Sequence, residues 1–126
     1  MPYQTDIRAF EDHVRAEVSG ARTPGMVVPD AIQVGQQISD ACRDAGVSRL
    51  LVILRITGRL SPTESYEIFS DPQAYGWTRD VKVALVDMNE DSKDDSLFSE
   101  TVAVNRAYQM SVFDDENEAR EWLLDS

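Results

Sequence analysis

The sequence predicts an α/β fold: a mixed, mainly parallel sheet with covering helices, in the order β-β-α-β-α-β-α-β-α. Three features predict it. Leu50 to Ile56 is nearly continuous aliphatic sequence, and Val81 to Asp87 is a second such run, rich in Val. Runs of this kind mark strands covered on both faces, as central parallel strands are. Between and after them, apolar residues recur at helical spacing. A length of 126 residues, with 42% hydrophobic residues, suits a single domain over 1–126 with one core.

The elements follow in order. Val14, Ala16 and Val18 alternate with Arg15 and Glu17, which predicts a strand over His13–Val18 with His13, Arg15 and Glu17 on a wet face. Gln4 to Phe10 is its hairpin partner, turning at Glu11 and Asp12. Gly and Pro make Gly20–Pro29 a loop, and Asp30 reads as the cap of the next helix. Val34, Ile38, Ala41 and Ala45 form that helix's apolar stripe, with Cys42 beside it and Gly46 as its stop. After the central strand, Ser61-Pro62-Thr63-Glu64 has the pattern of a capping box with Pro at the first helical position. Tyr66 and Phe69 are expected to face the core, and Asp71-Pro72 ends the helix. Leu97, Thr101, Val104 and Tyr108 predict another helical stripe. Met110 to Phe113 is a short strand. Asp115 opens a last helix, packed down by Ala119, Trp122 and Leu123.

Composition narrows the function classes. The net charge of −11 argues against nucleic acid, whose phosphates need clustered Lys and Arg, and against anionic lipid surfaces. The longest apolar run, Leu50–Leu54, is far short of a bilayer span, so no membrane insertion is expected. The first ten residues show no basic segment followed by an apolar one, and a single Cys42 excludes an intrachain disulfide. A cytoplasmic setting is therefore expected.

The order of elements in a chain of this length resembles that of the STAS domain, the fold of anti-sigma-factor antagonists. The closing segment Val112-Phe113-Asp114-Asp115-Glu116-Asn117-Glu118-Ala119-Arg120-Glu121-Trp122-Leu123 resembles the end of the SpoIIAA-like branch. There too a short strand runs through an acidic cap into an Ala-containing helix closed by Trp-Leu. The resemblance implies a phosphorylatable Ser in an Asp-Ser-Ser/Thr-Gly motif where the helix follows the central strand. The matching stretch here is Thr57–Thr63. Ser61 takes the cap position, but no Asp precedes it and no Gly closely follows, so the motif is absent. SpoIIAA-like proteins are also similar to small lipid-binding folds, which implies an apolar cavity between a helix and the sheet.

Few residues suggest chemistry. Asp87, Asn89 and Asp91 match the first positions of a calcium loop, but Ser92 stands where Gly is needed and Phe98 where a bidentate Glu is needed. His13 is the sole histidine, and it lies on a hairpin without a convergent set of partners. Cys42 reads as a small buried hydrophobe. No metal, no cofactor and no catalytic residue is assigned, and the chain is read as a non-enzyme. Thr57, Gly58, Arg59 and Ser61 are the candidate ligand or partner loop, since α/β sheets bind ligands beyond the carboxyl ends of their strands. Ser61 as a helix cap and Arg59 paired with a surface acid explain the same residues without a ligand. Met26, Val27, Val28, Tyr75 and Trp77 are candidate apolar contacts, for a core, a partner or a ligand.

The expectation is a non-catalytic binding or regulatory module with a protein partner, including self-association as a homodimer. The alternative is a small carrier of an apolar, lipid-like ligand held between helices and sheet. A cavity of several hundred cubic ångströms marks the carrier, and a flat apolar patch marks the protein partner.

Overall fold

The computed structural model describes residues 3–125. Its sheet has five strands in sequence order: β1 (Gln4–Ala9), β2 (Val14–Ala21), β3 (Arg49–Thr57), β4 (Lys82–Asp87) and β5 (Gln109–Phe113). β1 and β2 are antiparallel, and the remaining neighbours are parallel. The helices are α1 (Val27–Ala45), α2 (Pro62–Phe69), α3 (Lys93–Asn105) and α4 (Glu116–Leu124). This is the predicted element order.

Crossovers of one hand that step through neighbouring strands in one direction deliver their helices to one face. α1, α2 and α3 accordingly cover the face made by Val14, Val52, Leu85 and Met110. α4 follows the last strand, has no crossover to make, and covers the other face, made by Leu51, Ile53, Ala84 and Val86. β3 and β4 are thus apolar on both sides, which is why their sequences do not alternate. Among the described residues no helix is long and apolar enough to cross a membrane.

Four local expectations change. The loop foreseen over Gly20–Pro29 is shorter at both ends. β2 continues because Gly20 and Ala21 pair with Ile56 and Thr57. α1 starts at Val27, which puts Pro29 in its first turn, where the missing N–H goes unnoticed. Asp30 is therefore not the cap: it is buried in that first turn, where negative charge suits the helix start. At the other end Gly46 closes α1 in the left-handed conformation, as expected, with Ala45 exposed. Second, His13 is buried instead of wet. It precedes the first paired residue of β2, so strand alternation does not bind it, and its ring stacks on Phe10 at 4.8 Å with Nδ1 2.7 Å from Asp12.

Third, α2 begins with the predicted capping box, Ser61 Oγ accepting from Glu64 N and the Glu64 carboxylate accepting from Ser61 N. Its buried residues are Ser65 and Ile68, with Phe69 partly buried, and Tyr66 is exposed. The small Ser65 lets α2 lie against α3, its hydroxyl 3.1 Å from that of Ser99. Fourth, α3 turns the opposite face inward from the one its apolar stripe predicts. Asp95, Ser96, Ser99, Val102 and Ala103 are buried, while Leu97 is 42% and Val104 50% exposed. The inward polar groups are satisfied. Asp87 accepts from Ser92 Oγ at 2.9 Å and Ser96 Oγ at 2.6 Å, and Ser99 Oγ donates to the Asp95 carbonyl. Satisfied polar groups can be buried at little net cost. Tyr108 lies past the helix end, buried against Trp77.

Candidate functional site

Between α1 and the sheet lies a cavity of about 350 Å³. Its floor includes Val18, Val52, Leu85 and Met110, and its roof includes Val34, Gly35, Ile38 and Cys42 of α1. Tyr75 and Trp77 form a wall. Tyr75 ends the 3-10 turn Pro72–Tyr75, and Trp77 follows the glycine that closes it, Gly76, in the left-handed region at φ 98°. Trp77 packs edge-on against Phe69 and tilted against Tyr108, and its indole N–H donates to the Val81 carbonyl at 3.0 Å. Tyr75 donates its hydroxyl to the Ile68 carbonyl at 3.1 Å. Burial raises its phenol pKa, so it stays a neutral donor.

Gly35 explains how the wall meets the roof. A Cβ there would come within 2.5 Å of the Tyr75 ring. The ring rests directly on the α1 backbone. A glycine inside a helix costs roughly 1 kcal/mol relative to Ala, so its place here answers to packing. Cys42 sits in the same roof, and burial pushes its thiol up to about 11, which makes it an inert lining group at neutral pH.

The Thr57–Ser61 loop closes one end. Of its residues it is Leu60 that lines the cavity. Gly58 takes φ 94°, which favours glycine, and a Cβ on it would crowd Arg22 Cβ at 3.2 Å. The Gly58 carbonyl accepts from Arg22 Nη1 at 2.8 Å and from Asn89 Nδ2. Arg59 donates to both oxygens of Asp95, at 2.8 and 2.9 Å, and Leu60 N donates to the same carboxylate at 3.0 Å. The Arg59 guanidinium beside it holds Asp95 below the usual carboxylate range, although burial opposes this. Ser61 serves the capping box. Arg59 and Ser61 therefore already have protein partners.

Of the apolar candidates, Val27, Tyr75 and Trp77 converge on the cavity. Val28 packs partly buried against the core nearby, and Met26 points to solvent. His13 and Cys42 are not brought together, and among the described residues no group of three or more His, Cys, Asp or Glu is placed to hold a metal ion. Sequence reasoning missed Gly35, Leu60, Tyr3 and Arg22 as cavity residues. Gly35 carried a readable signal, a glycine at the centre of an otherwise regular helical pattern. Comparison with known protein families and with curated proteins returns no match for the chain.

Proposed function

We propose that the protein is a non-catalytic binding module that carries a small apolar, lipid-like ligand between α1 and the sheet. The cavity supports this reading. Its volume lies within the range of small-molecule sites, roughly 300–1,000 Å³, and its lining is mainly aliphatic and aromatic. Protein interiors are otherwise close-packed, with few voids larger than a water molecule. We keep the resemblance to the SpoIIAA-like branch of the STAS domain as part of the same proposal, supported by the mixed five-stranded sheet and by the closing helix with Trp122 and Leu123. A single buried thiol in a chain without a span-length helix among its described residues fits work in the cytoplasm.

A second reading, a protein partner or a second copy, is favoured by one observation. Leu97, Phe98 and Val104 expose large apolar side chains along α3. Native mass spectrometry of gently purified protein tests both. The carrier reading expects a small-molecule mass increment per chain that disappears on denaturation. A bare chain that also takes up nothing from a lipid extract would contradict it. A dimer without any bound small molecule would favour the second reading.

A further inference from the structure

We propose that the ligand is an amphiphile with an anionic head, a carboxylate of the fatty-acid kind, received by Arg22 and Tyr3 at the N-terminal end of α1. The inference rests on the cavity reading above and adds the chemistry and direction of what it holds. The cavity follows α1, and its charged lining, Arg22, Arg43 and Asp80, lies towards the two ends of that helix. At the C-terminal end of the helix, Arg43 is paired with Asp40, and the Asp80 carboxylate accepts from Thr78. That end offers a negative charge and an occupied guanidinium. At the N-terminal end, Arg22 lines the cavity, and among the described residues no carboxylate lies within ion-pair distance of it. Its Nη1 is anchored on the Gly58 carbonyl, which fixes the fork and leaves the remaining N–H groups for a ligand.

Acids outnumber bases, and Arg8, Arg15, Arg43, Arg55, Arg59 and Arg120 pair with carboxylates. Arg49, Arg79 and Arg106 share with Arg22 the lack of a carboxylate partner among the described residues, but of these four only Arg22 lines the cavity. Tyr3 lines the same end, near enough to feel the Arg22 charge, and its hydroxyl has no partner among the described residues. The acids around this end are Asp95, which is held by Arg59 and Leu60, Glu64, which is held in the capping box, and Asp30 in the first turn of α1. The site also lies at the carboxyl ends of β2 and β3, where α/β sheets commonly receive ligands. A guanidinium fork and a phenol O–H are suitable donors to a carboxylate, and the aliphatic floor continues from them under α1.

The test compares decanoate with decanol, which share a tail and differ in charge, by calorimetric titration of the whole chain at neutral pH. The wild type should bind decanoate at least about tenfold more tightly, the value of one charge-assisted hydrogen bond. Arg22→Gln should erase that preference with decanol binding retained, which also shows that the variant is folded. Arg22→Lys should keep part of the preference, and Tyr3→Phe should lose a smaller part. Equal binding of both probes by the wild type, or a preference that survives Arg22→Gln, would overturn the head-group assignment while leaving the cavity reading intact. Binding of neither probe would overturn the cavity reading and this inference with it.

Discussion

The two faces of the sheet are built from alternate residues of the same strands, yet one is closed and the other is not. On the α4 face, Leu51, Ile53, Ala84 and Val86 meet Ala119 and Leu123 with almost no exposure. Ala119 lets the helix backbone approach closely. The margin of this face is tied by Arg15, which donates to Glu116 at 2.8 Å and to Glu17 at 3.0 Å, and by Arg55 on Glu17. Lys82 donates to the Trp122 carbonyl and lies 4.2 Å from the Trp122 ring centroid. On the α1 face, the Tyr75 ring packs on Gly35 of a longer helix, and a cavity remains beside them. A small residue at a helix contact thus has two uses. It admits a backbone on one face and an aromatic ring on the other.

The largest effect should come from the closed face. Ile53→Ala leaves a void with no room to relax and should cost about 2–5 kcal/mol, read by chemical denaturation. A loss well under about 1 kcal/mol would show that this face is looser than described. The next test makes one chemical change on both faces. Ala119→Phe overpacks a closed contact and should cost about 1–3 kcal/mol or more. Ala31→Phe, which extends into the cavity, should cost under about 1 kcal/mol. Equal losses would erase the distinction between the faces.

Smaller effects belong to the loop that closes the cavity. Asp95→Ala should cost about 1–3 kcal/mol, chiefly because it leaves the buried Leu60 N–H unpaired, since Arg59 is well exposed and can turn to water. Ser61→Ala should cost about 1 kcal/mol, whereas Ser61→Asp, which also caps, should be nearly neutral in a melting curve.

Acid should act on both faces. Glu17 and Glu116 are lowered by hydrogen bonds from Arg15, and Asp95 by those from Arg59. A carboxylate whose folded pKa is below its unfolded value adds stability above the unfolded pKa, and that stability is lost as pH falls through the folded one. Melting temperature should therefore hold at neutral pH and decline below about pH 4.

The sheet and its helices were legible because buried strands must be aliphatic and helix ends need caps and stops. Leu50–Ile56, Ser61–Glu64 and Gly46 each state a local requirement. The orientation of α3 was not legible. Its inward Asp95, Ser96 and Ser99, and Ser92 just before it, are tolerable because their hydrogen bonds are completed by Arg59, Leu60 and Ser65, distant in sequence, and by the nearby Asp87. The site was half visible. Val27, Tyr75 and Trp77 read as apolar residues in need of burial, but a cavity is a relation between surfaces brought together from α1, the sheet and the Tyr75–Trp77 segment, and no single stretch of sequence states it.

Whether the α1 face holds a small apolar molecule, as proposed, is tested most directly by titration with Nile red, a neutral apolar dye, with wild type and Ala31→Phe run side by side. Saturable, blue-shifted binding by the wild type and its loss in Ala31→Phe are expected, with both proteins melting cooperatively. Absence of saturable binding in the wild type, or equal binding by a folded Ala31→Phe, would contradict the proposal.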